Sequence, residues 1–293
     1  MTAPPLVFDR ALHRRRLDRA APAFADFLKR RAAEDAVFRL ETIMRRFPVA
    51  VDLGARTGAF AEALGQSEAR EKIDVLIETD LSGRMLSGGG PRVVADEERL
   101  PFRAGSLDLV VSGLALHWAN DLVGALIQAR LALKPDGLFI GAFFGGATLT
   151  ELRQSLLAAE AELSSGAAMR VSPFADASDG GSLLQRAGFA LPVTDVDRVA
   201  VRYGHPIELL RDLRAMGETN VLMERSPLTR AVLGRALEIY AERFAEADGR
   251  VRATFEIITL TGWSPHESQQ KPLARGSAKM RLADALGTTE HKL

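Results

Sequence analysis

Val49-Ala50-Val51-Asp52-Leu53-Gly54-Ala55-Arg56-Thr57-Gly58 constrains this chain more than any other stretch: an apolar run ends on an acid and turns through glycines. Glycine lets the backbone turn tightly and approach a ligand, and the N–H groups that open a following helix favour negative charge. The run predicts a buried strand, a tight turn and a helix that together cradle a small polar cofactor. A glycine turn alone is a weak signal.

Later segments fall where a nucleoside-binding α/β domain needs them. Lys72 to Ile77 reads as a strand leading into Glu78-Thr79-Asp80-Leu81-Ser82. Asp80 then lies roughly twenty residues beyond the glycine turn, where an acid at a strand end can accept hydrogen bonds from both ribose hydroxyls. Val93-Val94-Ala95-Asp96-Glu97 is a third strand ending in acids, and Leu107-Asp108-Leu109-Val110-Val111-Ser112 is a fourth. Leu133-Lys134-Pro135-Asp136-Gly137 predicts a turn, and Leu138 to Phe144 a fifth strand. Polar strand tips thus converge on one edge of a parallel sheet, where ligands bind in such folds.

At these residues the chain resembles the class I S-adenosylmethionine (SAM) dependent methyltransferases. The likeness rests on Asp52-Leu53-Gly54 with Gly58, Asp80-Leu81-Ser82 with Met85-Leu86, Ala95-Asp96 before Leu100-Pro101-Phe102, Leu107-Asp108-Leu109-Val110, and Leu133-Lys134-Pro135-Asp136-Gly137. It implies SAM as cofactor, with Asp52 and the loop from Gly54 through Arg56 to Gly58 at its methionine end. Asp80 with Leu81 would hold the ribose, Asp96 with the neighbouring Glu97 backbone the adenine, and Ser112 would also line the cofactor site. The implied architecture is a Rossmann-like, mostly parallel sheet with an antiparallel last strand, flanking helices and a helical insertion before that strand.

A narrower likeness covers nearly the whole chain. Phe8-Asp9-Arg10, Ala95-Asp96-Glu97-Glu98, Leu116-His117-Trp118, Gly145-Gly146 with Leu149 and Glu151-Leu152-Arg153, Ser172-Pro173-Phe174, Arg186-Ala187-Gly188-Phe189, Met216-Gly217-Glu218 with Asn220, and Gly262-Trp263 with His266-Glu267-Ser268 are similar to the assembly factor 5 family of respiratory complex I. That resemblance implies a methyltransferase-fold protein that acts on, or helps mature, a complex I subunit, with arginine hydroxylation as the family's chemistry. The methyltransferase of malonyl acyl carrier protein is a weaker match, which implies a carrier-bound substrate.

Composition narrows the classes. A chain of 293 residues, 47% hydrophobic, can bury a full core. Thirty-eight Lys and Arg balance 38 Asp and Glu, so nothing favours nucleic acid, which rewards excess positive charge. With Cys 0, disulfides, thiolate metal sites and cysteine nucleophiles are excluded. The five histidines lack metal-ligand spacing, His266-Glu267 included, and no metal site is expected. The reading is of a cytoplasmic protein without a transmembrane segment, its arginine-rich start retained because Asp9 and Asp18 interrupt any transit-peptide pattern.

The expected organisation is a helical segment over 1–48, a cofactor-binding core over 49–204, a helical insertion or lid over 205–250, and a last strand with a polar tail over 251–293. Phe24, Phe27, Leu28, Val37, Leu40, Ile43 and Met44 recur near helical spacing between Ala11 and Met44. Arg14-Arg15-Arg16 reads as a solvated face rather than a docking patch. Helices are expected over Leu149 to Leu163 and Ser182 to Ala187, and strands over Val193 to Val201 and Ala253 to Thr261.

Two positions depart from the families. Arg56 stands where the methyltransferase loop usually has glycine; its guanidinium either pairs with the methionine carboxylate or lies across the pocket. Ala147 stands where an acid is expected in the assembly-factor family. Simpler roles exist for the other candidates: Asp52 capping its turn, Asp108 bracing a strand start, and His117 and Trp118, the catalytic candidates, packing in the core. Three functions remain: a SAM-dependent methyltransferase in which His117 assists as base, an assembly factor that hydroxylates or only chaperones a subunit, and a nicotinamide oxidoreductase. The last is disfavoured because the loop lacks G-x-G-x-x-G order. No iron-binding triad that would serve hydroxylation is visible in the sequence.

Overall fold

The computed structural model describes residues 6–163 and 166–270, with Met280, Asp284 and Gly287. Among these residues one seven-stranded sheet organises the chain: β1 (Val49–Leu53), β2 (Val75–Asp80), β3 (Arg92–Val94), β4 (Leu107–Gly113), β5 (Leu133–Phe144), β6 (Ala190–Tyr203) and β7 (Val251–Trp263). Their order is β3-β2-β1-β4-β5-β7-β6. The pairs from β3 to β5 are parallel, while β7 runs antiparallel to both β5 and β6. This is the Rossmann-like methyltransferase arrangement, and its strand order reverses between β1 and β4, where a crevice opens beyond the strand ends.

Side-chain alternation explains why both faces are covered. Ala50, Leu109, Val111, Leu138 and Ile140 pack beneath α2 (Phe27–Thr42) and α3 (Ala59–Gly65). Val51, Leu53, Val110, Phe139 and Phe143 instead meet α4 (Leu122–Ala132) and α6 (Gly180–Arg186). A strand buried on both faces must be nearly all apolar, and β1 and β4 are.

A third cluster builds a helical layer over the far end of β5 and β7. It joins α5 (Thr150–Leu163), α7 (Pro206–Ala215) and α8 (Arg230–Phe244) to Phe144, Phe255 and Ile257. His205 starts α7 with a reciprocal capping box, its side chain and that of Glu208 each satisfying a backbone N–H. Residues 216–229 between α7 and α8 are non-helical and cross toward the sheet edge, where Phe8 bridges Leu222.

The structure corrects several local expectations. The segment from Ala11 to Met44 is two helices, α1 (Arg10–Ala20) and α2, because Pro22 lacks the N–H a continuous helix needs. The expected turn at Leu133–Gly137 lies inside β5 as a bulge: Leu107 pairs with Leu133 and Leu109 with Leu138, while Asp136 takes φ +64°. Lys72 ends a 3₁₀ turn, so β2 starts at Val75. The acids Asp96 and Glu97 follow β3 in a turn rather than ending the strand itself. Most of the polar tail, and Ser164 and Ser165 at the end of α5, lie outside the described residues. Among those described, no helix is long and apolar enough to cross a membrane.

Candidate functional site

The loop after β1 is held by left-handed backbone at Gly54 (φ +70°), Arg56 (φ +54°) and Gly58 (φ +85°). A Cβ on Gly54 would stand 2.4 Å from that of Ala115, so only glycine fits this approach. The loop is pinned to the end of β2: the Ala55 N–H donates to the Thr79 carbonyl (2.8 Å) and the Arg56 N–H to Asp80 Oδ2 (3.0 Å).

Around this loop the acids gather as their spacing predicts. Asp80 is fully buried; Oδ1 accepts the Ser82 N–H (2.8 Å), while Oδ2 also accepts Arg56 Nη1 (2.7 Å). Arg56 therefore lies across the pocket on Asp80, one of its two anticipated placements. Burial alone would lower the pKa of this guanidinium, but Asp80, Glu97 and Glu218 outweigh it and hold the group charged. Asp96 and Glu97 both accept Arg10 Nη2, the former at 2.6 Å. Glu97 Oε1 remains buried without a partner.

Asp52 does not cap its turn. Both its carboxylate oxygens are buried and unpartnered, and burial raises its pKa to about 6, against the lowering effect of Lys29. Such a group costs stability. The folded pKa exceeds the ordinary 3.8, so this group's contribution is complete below about pH 4 and is lost as pH rises through 6. Asp52→Asn should therefore raise stability at pH 7.5 by about 3 kcal/mol and flatten that slope. Denaturant unfolding of both proteins between pH 4.5 and 8, in ~0.5 steps, checks this; an unchanged slope would refute it.

The other anticipated residues divide. Leu81 packs with Leu17, Ala20 and Met85 under α1. Ser112 is buried, but its hydroxyl is spent on the Leu53 carbonyl (3.0 Å), tying β4 to β1. Asp108 braces the opposite end of the sheet, accepting from the Val49 N–H (3.0 Å) and Lys134 Nζ (2.9 Å). The Ala147 N–H donates to Glu256 Oε1 (3.3 Å), so a carboxylate from β7 stands beside that position. Among the described residues, no group of three or more His, Cys, Asp or Glu is placed to hold a metal.

His117 and Trp118 form a buried 3₁₀ turn after β4. His117 Nε2 lies 3.0 Å, and the Trp118 Nε1–H 2.8 Å, from the same oxygen, Glu218 Oε2. A carboxylate bound this way is fixed in orientation. Its other oxygen makes no hydrogen bond within the described chain, and the side chain is only 9% exposed. Glu218 lines a cavity of about 360 Å³ walled by Phe144, Leu149, Leu152, Phe174, Leu213 and Phe255. Arg16, Arg170 and Arg225 also line it. The pocket is thus apolar in its walls, with a fixed anion beneath and cations beside it.

Four functional-looking groups carried no motif of their own. Lys29, on α2, reaches the carbonyls of Gly54 and Gly113 (2.6 Å to the latter) from full burial. Its position three and four residues before Ala32 and Ala33, on the apolar face, was the readable signal. His13 is buried and held neutral by burial and by Arg56 and Arg10. Arg10 Nη1 lies 3.5 Å from its Nδ1, and its Nε2 is buried without a partner among the described residues. Arg10 and Glu218 lay within segments that support the narrower resemblance, without an assigned role.

Comparison with known proteins agrees with this fold. A family model described as a methyltransferase domain matches residues 51–141. The chain is 42% identical over 289 residues to the mitochondrial arginine hydroxylase NDUFAF5 of Danio rerio, covering 95% of this chain and 89% of the relative. It is 34% identical over 285 residues to a malonyl-[acyl-carrier protein] O-methyltransferase of Methylovorus, covering 90% and 92%. Among solved structures, one from Bacillus halodurans, assigned as a methyltransferase, superposes with TM-score 0.54 at 15% identity, over 80% of this chain and 99% of the other.

Proposed function

The chain belongs to the family of the arginine hydroxylase NDUFAF5, and from that premise we propose that it modifies an arginine side chain of a protein substrate, with SAM as its cofactor. The observation that carries this reading is Glu218: a carboxylate oriented by two ring N–H groups, with one oxygen uncommitted, beneath an apolar cavity. A guanidinium on a long aliphatic stem matches that combination, the stem against Phe144 and Leu152 and the charged end on the carboxylate.

The residues of the loop fit SAM with one exchange. Among the described residues Asp52 offers two unpartnered buried oxygens at the methionine end, Gly54 leaves the close approach open, Asp80 suits the ribose hydroxyls, and Asp96 with the Glu97 backbone suits the adenine. Arg56 must leave Asp80 for the ribose to take its place. When bound, SAM supplies a methyl group activated by its sulfonium. The chain's own part is to orient the acceptor through Glu218, to fix Glu218 through His117 and Trp118, and to exclude water with the apolar walls.

A second reading has its own support. Arg16 faces the same cavity, donating to Thr219 Oγ1 with no carboxylate within ion-pair distance among the described residues, and a cation there suits a carrier-bound acid. The malonyl carrier methyltransferases are the relatives that match it.

Proteome-wide mass spectrometry of the native host, with and without the gene, separates the two. The expected result is an arginine whose modification disappears on deletion and returns with the gene. An increment of one methylene identifies methyl transfer, and one oxygen identifies the chemistry named for the relative. A respiratory complex I subunit is the partner expected to carry it. A gene-dependent carboxyl methyl ester, with every arginine unchanged, would overturn the reading.

A further inference from the structure

Arg56 occupies the space a cofactor needs. Its guanidinium is 1% exposed, donates through Nη1 to Asp80 Oδ2 at 2.7 Å, and passes 3.5 Å from where a Gly54 Cβ would stand. Both Asp80 oxygens are satisfied internally, by Ser82, the Arg56 N–H and the Arg56 side chain. Two complementary groups beside it are left over: Arg56 Nη2 and Glu97 Oε1 are each buried without a partner among the described residues. Glu97 Oε1 lies 3.2 Å from the same Gly54 Cβ position. Thus the guanidinium has two carboxylates within its neighbourhood and saturates only one.

We propose that Arg56 is an internal competitor of the cofactor's ribose: its guanidinium holds Asp80 in the free protein, and SAM binds only by displacing it, so that Arg56 sets the affinity. This inference rests on the SAM reading above. The displaced guanidinium has an acceptor waiting in Glu97 Oε1, so the exchange does not strand a buried charge. Opposition has two sources. Binding must break a fully buried ion pair, and it brings a sulfonium cation beside a guanidinium that stays in the pocket. The competition is specific to one half of the ligand, because Asp80 answers the ribose and not the methionine end.

Calorimetry on the purified full chain tests this with SAM, adenosine and methionine as separate probes. Arg56→Gly, which suits the left-handed backbone at this position, should bind SAM at least ten-fold more tightly than the unaltered protein. It should gain similarly for adenosine and not for methionine. Methylguanidinium, against a matched concentration of sodium chloride, should weaken SAM binding to Arg56→Gly and leave the unaltered protein unchanged. Should Arg56→Gly not fold, Arg56→Gln keeps a hydrogen bond to Asp80 without the charge and should show an intermediate gain.

Equal binding by both proteins overturns the competition and leaves the cofactor reading intact. Weaker binding by Arg56→Gly makes Arg56 a ligand of the cofactor, and a gain confined to methionine makes it an obstacle at the other end of the ligand; either result overturns the proposal. Absence of SAM binding in every variant overturns the proposal and the cofactor assignment together.

Discussion

Glu218→Gln is expected to lower affinity for an arginine-containing peptide substrate by about 10- to 100-fold, with little change in thermal stability. The magnitude follows from removing a charge-assisted hydrogen bond in a buried site, worth about 1.5–3 kcal/mol. The glutamine carbonyl still accepts from the ring N–H groups of His117 and Trp118, which now meet at Glu218 Oε2. Glu218→Ala differs: it strands both donors, and each buried unpaired donor costs about 1–3 kcal/mol. The pair of variants therefore separates recognition from folding. Peptide binding by fluorescence anisotropy, beside thermal melts, reads both quantities. If Glu218→Gln binds the peptide as the unaltered protein does, the carboxylate has no part in recognition.

Lys29→Met is expected to be strongly destabilising. Lys29 is fully buried, and its ammonium ties the Gly54 carbonyl in the cofactor loop to the Gly113 carbonyl at the end of β4. Burial lowers its pKa, partly against Asp52, so the charged form persists only because these partners surround it. Methionine matches the length of the stem but leaves two carbonyls unsatisfied and removes a compensating charge from beside Asp52. Breaking a buried charged network of this kind costs about 3–5 kcal/mol. In a chain of this size that corresponds to a fall in Tm on the order of ten degrees, measurable by calorimetry. A shift within about two degrees would show that the loop does not depend on Lys29.

Much of the fold was legible because the sheet is periodic and its turns are chemically marked. β1 and β4 are continuous apolar runs, β6 alternates along its exposed face, and glycines fall where the loop after β1 takes positive φ. The bulge in β5 was not legible, since Lys-Pro-Asp-Gly has the chemistry of a turn and only pairing with β4 and β7 holds it in the strand. At the site, residues at strand tips could be read from spacing. Arg10, His13, Lys29 and Glu218 come from helices and a connecting segment that reach the sheet edge only through tertiary packing, and no local pattern records that distance. Arg56 was visible as a departure, but which of its two placements it takes depends on a contact with Asp80, 24 residues away.

The first helix bears on the crevice as well as on the architecture. Arg10 clasps Asp96 and Glu97, Asp18 accepts the Ser82 hydroxyl (2.5 Å), and Leu17 and Ala20 rest on Met85. These contacts lay α1 like a hasp over the tips of β2 and β3. Asp80, buried at the tip of β2, thus owes part of its seclusion to a helix far from it in the sequence.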